Sequence, residues 1–251
     1  MTDEPTVLKL GGSLITEKDR PETLDGPSLD LAAEAIAEAL DDGAVESLVV
    51  VHGGGSFGHH HASEHGVSTT EGTRDIAAVY AIHGAMTTLN RFVVQRLLDR
   101  DVPAVPVHPL SSAHREDDGA LSLPTGQVET MLEEGFVPVL HGDLVAHEGA
   151  GTTVVSGDEL VVKLADALTA ARVGLCSTVP GVLDEDETVV ERIDDYDDVA
   201  EILGESDATD VTGGMAAKVR ALCELDAEAG IFGLDDLAAF LDGESVGTTV
   251  S

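Results

Sequence analysis

A three-layer α/β/α fold with a mainly parallel central sheet is predicted by three features of this 251-residue chain. Short β-branched apolar runs alternate with longer stretches of helical periodicity, the pattern of strands joined by helical crossovers. The runs are apolar throughout, as strands covered on both faces are. Two of them lead straight into clusters of glycine.

The first run, 6–10, ends at Gly11-Gly12-Ser13. Residues 28–40 follow with apolar side chains at helical spacing after a Pro-Ser start. The run 47–51 is the second strand and ends at His52-Gly53-Gly54-Gly55. Residues 73–99 form a long helical stretch, expected to break near Gly84. Strands at 102–107, 137–140 and 173–178 alternate with helices at 126–134 and 158–171. Helices at 215–229 and 235–241 and a closing strand at 245–250 complete the pattern, and 184–211 reads as an acidic insertion with a short helix near 197–203. No repeat or low-complexity linker divides the chain, so one domain spanning 1–251 is expected.

Acidic residues number 48 against 13 basic ones, for a formal charge of −35. The excess is spread along the chain, which places it on a solvated surface and argues against nucleic acid or an anionic membrane as partner. Self-repulsion of this size destabilises a compact state in dilute buffer, and the Debye length shrinks to about 3 Å near 1 M salt. The expectation is a cytoplasmic protein of a salt-accumulating organism. Cys176 and Cys223 each sit in apolar runs and read as reduced core thiols. The N-terminus, Met1-Thr2-Asp3-Glu4-Pro5, lacks the parts of a signal peptide, and no apolar run approaches the ~20 residues of a membrane span.

Against this acidic background the lysines stand out. There are four, Lys9, Lys18, Lys163 and Lys218, and three of them lie beside glycine clusters. Ligands of open α/β sheets bind where strands end and helices begin, and glycine there lets backbone N–H groups approach a phosphate. Neither cluster is a P-loop or a Gly-x-Gly-x-x-Gly fingerprint, which disfavours both of those folds. Two such loops on different strands suggest two anionic ligands, a donor and an acceptor. Two plain tight turns are the alternative. The run His59-His60-His61 with His65 also raises a transition-metal site, but neighbours on one helix diverge by about 100°, so no metal ligands are assigned. The remaining histidines, His52, His83, His108, His114, His141 and His147, are read as structural or exposed.

Four segments carry a resemblance. Lys9-Leu10-Gly11-Gly12-Ser13-Leu14-Ile15-Thr16-Glu17-Lys18, His52-Gly53-Gly54-Gly55-Ser56-Phe57-Gly58-His59, Ser156-Gly157-Asp158 and Asp210-Val211-Thr212-Gly213-Gly214-Met215-Ala216-Ala217-Lys218 resemble the amino acid kinase superfamily. The narrower Gly-Ser-Phe-Gly-His element is similar to that of the isopentenyl phosphate kinases and of related antibiotic-phosphorylating kinases. The resemblance runs from residue 6 to Gly247-Thr248-Thr249-Val250.

That resemblance implies ATP-dependent phosphoryl transfer to isopentenyl phosphate, with Mg²⁺ and a homodimeric assembly. It implies an acceptor-binding lobe to about residue 150 and an ATP-binding lobe over about 151–251. Lys9 and the Gly11, Gly12 and Ser13 amides are expected on the ATP phosphates, with Gly55, Gly213, Gly214 and Lys218. Lys18 is expected at the transferring group, and Asp158 is expected to orient lysines or help hold the metal. Gly53, Gly54, Gly142 and His59 are assigned to the acceptor, His59 as a hydrogen-bond donor to its phosphate. An apolar face carrying Val79, Ile82, Met86 and Leu89 is offered for the isoprenoid tail, or else as plain core. One stretch departs from the pattern: Ser177-Thr178-Val179-Pro180-Gly181-Val182-Leu183 lacks the two acids and the tyrosine common in relatives, although Gly181, expected near the nucleotide, remains. Other acceptors on the same scaffold (UMP, a carbamate, a carboxylate or a phosphonate) and a non-catalytic nucleotide-binding role stand as alternatives.

Overall fold

The computed structural model describes residues 4–200 and 214–251. The chain opens with β1 (Thr6–Leu10), α1 (Gly12–Ile15), α2 (Gly26–Asp41), β2 (Leu48–His52), α3 (Gly55–His65) and α4 (Ile76–Leu98). It continues through β3 (Ala104–Pro106), α5 (Pro109–Ser112), β4 (His114–Arg115), β5 (Leu121–Ser122) and α6 (Gly126–Glu133). Next come β6 (Val137–His141), β7 (Asp143–His147), β8 (Gly151–Val155) and α7 (Gly157–Leu168). The last part holds β9 (Arg172–Ser177), β10 (Arg192–Ile193), α8 (Gly214–Leu222), β11 (Glu228–Gly233), α9 (Leu237–Leu241) and β12 (Thr248–Val250).

An eight-stranded sheet runs β10-β12-β11-β9-β1-β2-β6-β3, and every neighbouring pair is parallel except β11 with β12. This is the predicted mainly parallel, three-layer arrangement. Side chains alternate across it. Leu8, Leu10, Leu48 and Val50 face one core with α2, α4 and α9, while Val7, Val49 and Val51 face another with α6, α7 and α8. Covering both faces is what makes the strand sequences continuously apolar. Each fully buried leucine or valine contributes on the order of 1.5–3 kcal/mol of transfer free energy.

The structure corrects several element boundaries. Helix α4 is unbroken through Gly84, whose carbonyl accepts from the Thr87 and Thr88 hydroxyls at 3.0 and 2.8 Å. The helix expected over 215–229 stops at Leu222, and the chain then enters β11, placed between β9 and β12 in the sheet. Gly230 and Gly233 give that strand little intrinsic β propensity, so its position in the sheet decides its state. Helix α7 ends at Leu168, where Thr169 is left-handed with φ 51°. A small second sheet, β5-β4-β7-β8, was not anticipated, and the helix on which the histidine run was placed proves to be α3, Gly55–His65. Of the short helix near 197–203, a 3₁₀ turn at Tyr196–Asp198 is seen; residues 201–213, Gly213 among them, lie outside the described residues. Both cysteines are free, Cys176 buried in β9 with its thiol pushed up to about 12 by burial.

Candidate active site

The carboxyl ends of the central strands are level with one another. Leu10 pairs with His52 and with Cys176, and His52 pairs with His141. One residue further on, the ladders continue through the glycines. Gly11 N–H donates to the Cys176 carbonyl at 2.9 Å, Gly53 N–H to Leu10 at 3.0 Å and Gly142 N–H to His52 at 3.0 Å. These three amides are therefore spent, so Gly11, Gly53 and Gly142 do not offer the backbone donors expected of such loops. The amides of Gly12, Ser13, Gly54 and Gly55 have no acceptor among the described residues. Gly54 caps the eleven-residue α3 without a side-chain acceptor, leaving an anion-ready helix N-terminus.

The two glycine loops touch. A Cβ on Gly53 would lie 2.6 Å from the Gly12 nitrogen, and one on Gly12 would collide with Gly55. Gly55 adopts φ +47°, and a Cβ there would run into Thr16 Oγ1 and the Gly12 carbonyl. Thr16 Oγ1 accepts from the Ser56 amide at 2.9 Å and donates to the Gly12 carbonyl at 2.8 Å, stitching the loops together. Only glycine permits this approach.

A cleft of about 850 Å³ opens over the loops. Lys9, Lys18, His59, Asp158 and Lys218 all line it, as do Gly11, Gly12, Ser13, Gly53, Gly54, Gly55 and Gly142. Lys9 Nζ donates to Asp158 Oδ1 at 2.6 Å, with side chains 9% and 15% exposed. Asp158 owes its place to α7, whose Ser156 and Glu159 form a reciprocal capping box and leave Asp158 in the first turn. Glu159 in turn holds the buried Arg115 at 2.9 Å. The fourth lysine, Lys163, is exposed and does not line the cleft.

Sequence reasoning missed a polar cluster behind the loops. His52 Nδ1 is 3.1 Å from the Gly53 carbonyl, and His141 Nδ1 is 2.9 Å from that of Gly142. Each Nδ1–H must donate, since a carbonyl only accepts. The Nε2 lone pair of His141 then accepts from His108 Nδ1–H at 2.8 Å. The Nε2 of His52 faces the Asn90 amide at 3.1 Å, and turning Nδ2 toward it supplies the donor and gives that buried nitrogen its partner. Burial holds His52 down to about 4, and it lowers His141 and His108 as well, so all three are neutral donors. His83 is the opposite case: its Nδ1 sits 2.9 Å from the Asp143 carboxylate, which raises it. Burial pushes the Asp143 carboxyl up, and His83 and the Leu144 amide oppose that shift. A signal existed, since both structural histidines stand in a His-Gly step closing an apolar strand.

Of the apolar face on α4, Ile82 and Met86 reach the cleft beside Ala62 and Val154, while Val79 and Leu89 pack into core clusters. Gly181 is not brought to the cleft. It is buried, and a Cβ there would lie 2.7 Å from Thr248 Oγ1 and from Val189. Gly214 opens α8 with φ +65° and places Lys218 one turn on. Ser177 and Thr178, from the departing stretch, do line the cleft.

The model of the Amino acid kinase family matches residues 4–231. Isopentenyl phosphate kinase of Haloferax volcanii is 59% identical over 244 residues, covering 97% of each chain. Isopentenyl phosphate kinase of Methanocaldococcus jannaschii is 34% identical over 224 residues, covering 85% of each. A solved structure, "X-ray structures of isopentenyl phosphate kinase", superposes with a TM-score of 0.82 at 29% identity, over 98% of this chain and 99% of that one. The chain thus belongs to the amino acid kinase family, within it to the isopentenyl phosphate kinases.

Proposed function

We propose that the cleft transfers the γ-phosphoryl group of ATP to the phosphate of isopentenyl phosphate, giving isopentenyl diphosphate and ADP. The observation that carries this reading is the meeting of Lys9, Lys18, Lys218 and His59 in one cleft floored by unspent amides. Two anions must be held together there, so the catalytic task is charge neutralisation and in-line alignment. Lys9, fixed by Asp158, and the Gly12 and Ser13 amides hold the β- and γ-phosphates. Lys218 approaches ATP from the opposite side, in the lobe over about 151–251. The exposed Lys18 reaches the transferring group, where charge is shared in the transition state. His59 donates to the acceptor phosphate, and the Gly54 and Gly55 amides at the start of α3 receive that phosphate and the transferring group.

The residues fit a magnesium nucleotide. Mg²⁺ takes one or two carboxylates plus substrate phosphates and water, and Asp158 is a cleft carboxylate beside the phosphate-holding lysine. Bound with ATP, the ion supplies further neutralisation of phosphate charge. Ile82 and Met86 supply an apolar wall for the five-carbon tail.

The assembly is a cytoplasmic homodimer built through the lobe before residue 150. Among the described residues no helix is long and apolar enough to cross a membrane, and Ile76 and Tyr80 expose 77% and 81% on one face of α4. Light scattering after gel filtration measures the mass. The acceptor is tested by ATP turnover with isopentenyl phosphate beside UMP, N-acetylglutamate and fosfomycin, with Mg²⁺ in molar KCl. Turnover of isopentenyl phosphate alone is expected. Activity confined to another of the four would keep the phosphate sites and discard this substrate.

A further inference from the structure

We propose that His60, His61 and Glu64 on α3 form a binding site for a first-row transition-metal dication such as Zn²⁺, separate from the magnesium nucleotide. One ligand atom from each lies within 4.8 Å of the other two. The trio His59, His60 and His61 diverges around the helix, as the helical period requires. Glu64 changes this, because it lies one turn beyond His60 and three residues beyond His61, and so shares a face with both.

The second observation is the state of His61. Its Nε2 lies 2.6 Å from Glu22 Oε1, and a carboxylate there requires Nε2–H as the donor. In the neutral imidazole Nδ1 is then the lone-pair nitrogen, the form that a metal ion takes up. That nitrogen is shielded from solvent and has no hydrogen-bond partner among the described residues; the Glu64 carboxylate stands 3.7 Å away. A carboxylate fixing the tautomer of a histidine whose other nitrogen faces a second ligand is the outer-shell arrangement of metal sites. The His60 ring adjoins it, centroids 5.1 Å apart. Ligands at about 2.0–2.2 Å from one zinc lie roughly 3.5 Å apart, so small rotations of the exposed His60 and Glu64 side chains close the site. Two imidazoles with one carboxylate and water select zinc, copper or nickel over magnesium.

The place matters as well as the chemistry. His60 and Glu64 line the mouth of the cleft. Glu22 lies on the segment that also carries Lys18, and that segment is already tied to α3 through Glu22 N–H on the Ser56 carbonyl at 3.2 Å. Metal at His61 would add an ionic link between the Lys18 segment and α3.

The test is calorimetric titration of the full chain, stripped with chelator, with ZnCl₂ in excess Mg²⁺. One zinc per chain is expected, lost in His61→Ala and in Glu64→Ala. Glu22→Gln should weaken binding about 10- to 100-fold, the usual cost of removing an outer-shell partner. Co²⁺ in place of Zn²⁺ should show visible absorption that both alanine variants abolish. No binding by the wild-type chain overturns the proposal. So does unchanged binding in the variants, which would move the zinc to other histidines. Circular dichroism checks folding, and if His61→Ala unfolds, the exposed Glu64 carries the test alone.

Discussion

His52 and His141 stack at 5.5 Å on neighbouring parallel strands, and each donates its Nδ1 proton to the carbonyl of the glycine that follows it. The same His52 carbonyl accepts the Gly142 amide. The pair thus sets the direction in which both loops leave the sheet, and with it where Gly54 begins α3.

This arrangement requires neutral imidazoles, which fixes the sign of a pH effect. His52 is lowered from 6.5 to about 4 by burial, so the unfolded chain binds its proton first as pH falls. The contribution is fully present above pH 6.5 and is lost progressively toward 4; the difference corresponds to about 3 kcal/mol for this one group. His141 shifts in the same direction. His83 is raised by Asp143 and works the other way, its contribution being lost as pH rises through its folded value. Denaturant titrations across this window should show stability falling with acid. In His52→Gln, which cannot titrate, the chain should be weaker at neutral pH but its acid slope shallower. An unchanged slope would remove His52 from this account.

The Lys9–Asp158 bond makes a kinetic prediction. Asp158→Asn keeps the shape but removes the charge that fixes Lys9. Lys18→Met removes a group that is exposed and forms no comparable lock. Loss of one group that acts on transition-state charge costs about 10²–10³ in kcat. Lys18→Met should therefore lose about that much kcat with KM for ATP and melting temperature little changed. Asp158→Asn should lose kcat and also raise KM for ATP, because ground-state phosphate binding is disturbed too. Equal effects on KM in both variants would contradict the division of roles.

Glycine contacts divide by position. Gly12→Ala drives a methyl into Gly55 and must separate the loops. A displacement near 1 Å at a reacting centre costs about 10²-fold in rate. Gly84→Ala in α4 meets nothing within 4 Å and should stabilise by about 0.5–1 kcal/mol with activity intact. Melting temperature and kcat/KM together check the pair, and a fully active Gly12→Ala enzyme would show that the loops yield.

What could be read from the sequence was local. The glycine loops, Lys9, Lys18 and Lys218 announce themselves in short runs, and continuous apolar strands report a sheet covered on both faces. The bounds of α3 did not, because Gly55-Ser56-Phe57-Gly58-His59-His60-His61 has poor helix formers and no apolar stripe. The helix is held by its buried end, where Phe57 is 2% exposed, and by the Thr16–Ser56 bond. The small sheet escaped because its strands are two to five residues long. Which amides are spent follows from strand register, a property of pairs. The same holds for the His52–Asn90 and His108–His141 contacts, which span 38 and 33 residues.

Charge supplies the last prediction. With 48 acidic against 13 basic residues, there are too few cations to pair with most carboxylates. Folding concentrates them, so their mutual repulsion is larger in the native state than in the extended chain, and salt should relieve the native state more. The Debye length falls from about 10 Å near 0.1 M to about 3 Å near 1 M, so most of the relief comes below molar salt. Exposed ion pairs such as Arg20–Glu17 at 2.9 Å and Arg192–Asp194 at 2.7 Å weaken in the same range. Such solvated pairs contribute little, so the repulsion dominates the sign. Melting temperature and turnover should both rise with KCl, steeply at first and then level. Equal melting at about 0.1 M and about 2 M KCl would show that the acidic surface does not govern stability.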